Sequence, residues 1–297
     1  MPFQVGCGVR QGCPLSTTLF NLFIHDLHEY ICRRCPGMGV RAKCTPQGQP
    51  GDSNVLVTDL GYADDIGLIG GTPVQLQAII DSFACYCQEH GLLINPHKCE
   101  VMVFSGSTRT WVGHNWHTRT GDQQQELARV TKFKYLGVEL HGSKRIKAVV
   151  EHRLSRMVAA QSSVNRRLRQ LHIAHDPQLV ADMFAVITAA SGSFGCEVWC
   201  TPFLYDWTVG TCKLQRYQAT VYKRALGVPS CTSNLLAMFE AGRYPLQVSW
   251  LARTARYWNK LAANANNGSL LSKLFRANVH FGLTAEPTVS CCWAREL

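Results

Sequence analysis

At 297 residues, 46% hydrophobic and 17% charged, the chain is long enough for one large or two ordinary domains and too apolar for a disordered tail. Thirty Lys and Arg against twenty Asp and Glu leave a net charge of +10, which favours a polyanionic partner, nucleic acid before an anionic membrane surface. No stretch reaches the roughly 18 apolar residues of a membrane span. The opening "MPFQVGCGVRQGCPL" lacks the charged region and apolar block of a secretory signal. Fourteen cysteines without such a signal predict reduced thiols in an intracellular setting.

In chain order, "GCPLSTTLFNLFIHDLHEYICRR" predicts one helix. Pro14 suits its first position, where a missing N–H costs nothing, and Leu15, Leu19, Leu22, Phe23, Leu27 and Ile31 recur at threes and fours. "CPGMGV" ends it and "CTPQGQPGDSN" is a polar turn. "NVLVTDLGYADDIGLIGG" predicts two strands around a tight turn, with Asp64 and Asp65 at or beside the tip. A second helix is predicted over "TPVQLQAIIDSFACYCQEHG", with Thr72 as cap and Gly91 as stop. "LLINPHKCEVMVFSG" is a turn running into a strand, and "RVTKFKYLGVEL" is another strand region. The order describes an α+β fold: an antiparallel sheet with helices on one face. "CYCQEHGLLINPHKC" collects Cys85, Cys87, His90, His97 and Cys99 at spacings that match no usual zinc pattern. It reads as buried cysteines on a helix beside surface histidines.

Near residue 142 the texture changes, dividing the chain into 1–142 and 143–297. "SKRIKAVVEHRLSRMVAAQSSVNRRLRQLHIAHDP" predicts a long amphipathic helix, or a pair, rich in arginine. "MFAVITAASGSFGC" reads as a buried helix, and "KLQRYQATVYKRALGV" and "WLARTARYWNKLAANANNG" alternate apolar and basic positions.

The adjacent aspartates raise the chemical question. An ionised carboxylate taken out of water is costly unless paired or bound to metal. Two at a hairpin tip suit a hard divalent cation such as Mg²⁺. Two such ions about 3.5–4 Å apart can activate an attacking hydroxyl and stabilise a leaving pyrophosphate. By itself the pair is a weak signal, and solvated turn aspartates are its default reading.

The context decides between them. "GVRQGCPLS…LFNLFIHDL", "YADD", "GLLINPHKCEVMVF" and "YLGVEL", in this order, resemble the second half of a reverse transcriptase of the non-LTR (LINE-type) retrotransposon class. The resemblance covers about the first 140 residues. "GSFGCEVW" and "LLAMFEAGRYPLQVSWLARTARYWNKL" are more loosely similar to the region after the polymerase domain in such elements. The resemblance implies a partial palm followed by a helical thumb-like region, Asp64 and Asp65 as catalytic metal ligands, and two Mg²⁺ ions, with Mn²⁺ as a substitute. It also implies that Gln11, Gly12 and Tyr62 face template base and nucleotide, and that Lys98 serves the departing pyrophosphate. Tyr135, Leu136 and Gly137 would grip the primer, and Arg153, Arg156, Arg166, Arg167 and Arg169 would contact phosphates. The implied partners are an RNA template, a DNA primer and dNTP, in a nuclear setting.

One departure stands out. The family's third metal-binding aspartate precedes the "GVRQGCPLS" segment, where "MPFQVGCGV" holds no acid. Asp26, Asp52 and Asp59 do not occupy its place. The expectation is therefore a polymerase fragment, inactive alone and completed by an upstream half of a parent polypeptide, or else a catalytically dead basic remnant that binds nucleic acid. Cys291 and Cys292 near the carboxyl end would be the stub of a zinc motif.

Overall fold

The computed structural model describes residues 8, 12–42, 55–104, 113–120, 123–142, 145–204 and 209–284. Gln11, Asp52, Cys291 and Cys292 lie outside the described residues. The chain forms two compact units, Met1–Thr131 and Lys132–Leu297.

The first unit begins with α1 (Ser16–Phe23) and α2 (Leu27–Arg34), where the sequence pattern suggests one continuous helix. The break has a local cause. His25 Nδ1 lies 2.8 Å from the Leu22 carbonyl, and the side chain of Asp26 accepts a 2.6 Å hydrogen bond from Tyr86 Oη. These contacts draw the chain into a turn at Ile24–Asp26. Its consequence is that Leu27 and Ile31 reach the core while no residue of α1 is fully buried and Phe20 only rests against that core. Pro14 accordingly lies in the turn ahead of α1 rather than at its first position.

The strands β1 (Val40–Ala42) and β2 (Val55–Val57) pair antiparallel, as do β3 (Asp59–Tyr62) and β4 (Asp65–Leu68). Fully buried Thr58 separates β2 from β3, its carbonyl accepting from Ile69 N at 2.7 Å. Helix α3 (Pro73–Glu89) comes next, with the predicted ends. Thr72 Oγ1 accepts from Gln75 N, and Gly91, at φ +65°, closes the helix as Leu92 N donates to the Cys87 carbonyl.

Helix α3 is buried on two sides, which is why its apolar pattern is broad. Ile79 and Tyr86 pack with Ile24, Leu27, Ile31 and Cys35, against which Ile66 and Leu68 of β4 also rest. Leu76 and Ile80 pack with Val101, Trp116 and Leu127. Those three belong to a sheet of β5 (Glu100–Met102), β6 (Trp116–Thr120) and β7 (Gln123–Val130), in the order β5-β7-β6. The pairing of β5 with β7 is parallel, a correction to the all-antiparallel expectation. The β6–β7 hairpin carries too few apolar residues to be read from periodicity: "QQQELARV" has one buried residue, Leu127.

The second unit opens with the antiparallel hairpin β8 (Lys132–Tyr135) and β9 (Val138–His141). The units divide before this hairpin, not near residue 142, because β9 packs on α4 (Arg145–Gln170). The arginine-rich stretch is thus one 26-residue helix. It ends where His172, at φ +57°, lets Ile173 N reach the Leu168 carbonyl at 3.0 Å.

Beyond α4 lie α5 (Pro177–Met183), a π-helical turn (Phe184–Thr188), α6 (Ala189–Gly192), α7 (Cys196–Trp199), α8 (Lys213–Ala225), α9 (Asn234–Glu240), α10 (Leu246–Ala263) and α11 (Leu270–Thr284). Met157, Val164 and Leu168 of α4 share a core with Phe184, Trp199, Leu214, Tyr222 and Trp250. The "MFAVITAASG" helix is buried on one side only: Phe184 and Thr188 are inside, Val186 and Ile187 outside. Among the described residues no helix is long and apolar enough to cross a membrane.

Candidate functional site

Along β3–β4 the register pairs Asp59 with Leu68, Gly61 with Ile66 and Tyr62 with Asp65, leaving Ala63 and Asp64 as a two-residue turn. Ala63 adopts φ +54°, the left-handed conformation such tight connections demand of their first residue. The predicted hairpin tip is present. Successive side chains of a regular strand would diverge, but Asp64 belongs to the turn and Asp65 opens β4, so both carboxylates sit at one end of the hairpin.

Both aspartates are exposed, and neither has a hydrogen-bond or ion-pair partner among the described residues. Tyr62, on the facing strand, is 63% exposed. Two neighbouring carboxylates without a counter-ion supply the oxygen donors a hard cation wants, so the residues present fit a divalent metal in part. No group of three His, Cys, Asp or Glu converges among the described residues.

The hairpin is seated through Gly70. A Cβ on Gly70 would lie 2.7 Å from the Cα and backbone N of Leu76, so the chain leaving β4 runs directly against the first turn of α3. Only glycine permits that approach. The other nearby acids are engaged in structure. Asp59 accepts from Thr58 Oγ1 at 2.5 Å and lies 2.7 Å from His28 Nδ1, whose Nε2 is 3.7 Å from Cys32 Sγ. The Tyr86 hydroxyl, with smaller help from the histidines nearby, holds the Asp26 carboxyl below its ordinary pKa, against the opposing effect of desolvation. Neither replaces a third ligand.

Lys98 is exposed and closes a 3₁₀ turn, Pro96–Lys98, just before β5. Asn95 Oδ1 caps that turn by accepting from His97 N at 3.2 Å. Gly12, at φ +81°, precedes α1, and nothing lies within 4 Å of where a Cβ would stand. Its requirement is therefore conformational rather than steric. In the cysteine–histidine stretch, burial pushes the Cys87 thiol up to about 11, and His90 stacks on Tyr86 at 3.9 Å.

In the second unit, Tyr135 pairs with Val138 across a turn of Leu136 at φ +46° and Gly137 at φ +80°. Two successive positive φ values are the signature of a type I′ connection, which ordinarily takes Asn-Gly. This turn is clamped from outside the hairpin. Arg153 Nη2 of α4 donates to the Gly137 carbonyl, and its guanidinium carbon lies 4.9 Å from the centre of the Phe194 ring. The same ring sits 3.4 Å from where a Gly137 Cβ would be.

Arg153 therefore departs from the expectation. It is 4% exposed, and burial, more than the neighbouring Arg156, lowers its pKa. A side chain so placed braces the hairpin instead of meeting phosphate. Arg156, Arg166, Arg167 and Arg169 are exposed, off the stripe of buried Met157, Gln161, Val164 and Leu168. Sequence reasoning missed Phe194 and Gly70. The only signal for Phe194 was its place in "GSFG", a glycine-flanked aromatic.

Known proteins share this region. Residues 2–140 match the family described as reverse transcriptase (RNA-dependent DNA polymerase). The chain is 26% identical over 133 residues to the retrovirus-related Pol polyprotein from type-1 retrotransposable element R2 of Popillia japonica, covering 44% of this chain and 20% of that protein. It is 26% identical over 179 residues to the Pol polyprotein from type-2 retrotransposable element R2DM of Drosophila melanogaster, covering 58% and 16%. Against the Pol polyprotein from type-1 retrotransposable element R2 of Nasonia vitripennis it is 28% identical over 182 residues, again 58% and 16%. The chain thus spans a fifth or less of the length of these relatives. No solved structure matches. The matched segment contains α1 to α3 and both aspartates at the hairpin tip, and this chain carries a reverse-transcriptase region of the non-LTR retrotransposon kind.

Proposed function

We propose that the chain is a palm-and-thumb portion of an RNA-directed DNA polymerase that extends a DNA primer on an RNA template by two-metal nucleotidyl transfer. The observation that carries this reading is the pair Asp64 and Asp65: adjacent, exposed and without a counter-ion among the described residues, on a two-residue turn within the matched segment. These carboxylates would hold Mg²⁺ or Mn²⁺, which when bound polarises the attacking hydroxyl and the departing pyrophosphate. Tyr62 beside them, with Gln11 and Gly12, would face the nucleotide and template base. Lys98 would set a cation against the charge developing on pyrophosphate. Tyr135, Leu136 and Gly137 would bear on the primer, and Arg156, Arg166, Arg167 and Arg169 on phosphates.

Two carboxylates do not hold two ions in register. The third comes, on this reading, from outside the hairpin, in a longer polyprotein of the kind the relatives form. The chain by itself is therefore expected to add no nucleotide to a primed RNA above an Asp64→Ala control; incorporation above it would overturn the need for a third ligand.

The reading is tested by counting bound Mn²⁺ from its paramagnetic resonance, in wild type and in Asp64→Asn/Asp65→Asn. Binding lost in the variant supports it. Equal binding in both would remove the metal role and leave the second reading, a basic remnant that binds nucleic acid without chemistry.

A further inference from the structure

Helix α10 carries a second cationic feature, outside the matched segment of residues 2–140. Arg253, Arg256, Tyr257 and Lys260 follow one another at i, i+3, i+4 and i+7, so they share one face of the helix. The adjoining face is buried through Leu246, Gln247, Trp250, Thr254 and Leu261. With Glu197 of α7, the four line an open pocket of about 470 Å³.

The floor of this pocket is fixed. Arg253 Nε donates to Glu197 Oε1 at 2.8 Å, and Nη1 donates to the Ser193 carbonyl at 2.9 Å. Ser193 Oγ in turn accepts from Trp250 Nε1 at 2.7 Å in the core. Glu197 is thereby neutralised and no longer repels an anion. Arg256 and Lys260 are exposed at the rim, and neither pairs with an acid among the described residues. Three cations thus face one carboxylate, with a half-buried tyrosine between them.

A merely solvated helix face would have flexible cations and no concavity. Here the surface is an open concavity, its net charge is positive, and an aromatic ring lines the wall. Cations that track a backbone beside a ring that takes a base are the chemistry of single-stranded nucleic acid recognition. Duplex offers only phosphates, because its bases are stacked on one another. We propose that this pocket binds one nucleotide of a single strand, with Arg256 and Lys260 on the phosphates and Tyr257 under the base. The inference goes beyond the polymerase reading and does not depend on it.

The test uses the full chain, in EDTA and without nucleotide, so failure of the metal site cannot influence it. Fluorescence polarisation would follow short labelled pyrimidine strands of RNA and of DNA, and a duplex of equal length, at low and raised salt. Arg256→Ala/Lys260→Ala should weaken single-strand binding about tenfold or more and flatten the salt slope by about 1.4, two contacts at about 0.7 each. Arg33→Ala/Arg216→Ala, two exposed cations elsewhere, removes the same charge and should leave affinity within about twofold. Tyr257→Ala should cost about fivefold or more on single strands while Tyr257→Phe restores it. Loss in both the RNA and DNA arms supports recognition of the features they share, and loss in one names that polymer as the ligand. Equal losses in the pocket and control variants, or a Tyr257→Ala effect as large on duplex as on single strands, would overturn the proposal.

Discussion

The hairpin β3–β4 ends in exposed carboxylates with no counter-ion among the described residues, whereas β8–β9 has its turn carbonyl tied to buried Arg153 beneath Phe194. Both use two-residue turns with a non-glycine residue at positive φ, Ala63 in one and Leu136 in the other. The strain is comparable, yet its compensation differs. The first hairpin is anchored at its base, through Gly70 and the burial of Ile66 and Leu68, and its tip is left uncompensated. The second is anchored at its tip. A charged tip open to solvent can meet a ligand, and a braced tip holds its shape against one. Structure and chemistry are thus separated within each hairpin.

Breaking the anchors should give the largest effects. Gly70→Ala forces β4 away from the backbone of α3, and should destabilise the first unit by about 3 kcal/mol in urea titration, at the upper end of overpacking costs. A loss under half a kilocalorie would mean that the approach is not rigid. Arg153→Met keeps most of the aliphatic stem and removes the donor to Gly137; about 2 kcal/mol should be lost, with faster amide exchange confined to β8–β9. Unchanged exchange there would end the case for a clamp.

A smaller effect is expected on the acid limb of stability. The folded pKa of Asp26 lies below its ordinary value because Tyr86 donates to it. Its stabilisation is therefore present above about pH 4 and lost as pH falls through the folded pKa. Tyr86→Phe should flatten the stability profile below about pH 4; a profile parallel to wild type would exclude the linkage.

The two tips should respond in opposite ways to relief. Leu136→Asn places a residue suited to the left-handed region and should stabilise by about 0.5–1 kcal/mol. Asp64→Asn/Asp65→Asn should change stability by less than about 0.5 kcal/mol while abolishing Mn²⁺ binding. Marked destabilisation by the latter pair would show that the tip has structural partners, and would erase the contrast between the hairpins.

Much of this architecture was legible beforehand. The caps Thr72 and Gly91, the aspartate hairpin and the long α4 follow from local rules, since a cap, a tight turn and an amphipathic period are each satisfied within a few residues. The polar strand β7 was not legible, because Leu127 alone faces inward and its partners Leu76, Ile80 and Trp116 come from other elements. The break between α1 and α2 escaped for a similar reason: Tyr86, 60 residues away, pins Asp26.

The same division holds for the site. Sequence alone determined that two acids share a hairpin tip, that a long basic amphipathic helical stretch lies beyond it, and to which family of motifs the first 140 residues are similar, because these properties reside in contiguous residues. Only the tertiary structure decided that Arg153 is a brace rather than a phosphate contact, that Asp26 and Asp59 are already engaged, and that Glu197 is neutralised beneath a cationic pocket. Burial and partnering depend on which distant surfaces meet, and a side chain's chemistry is set by its neighbours in space rather than along the chain.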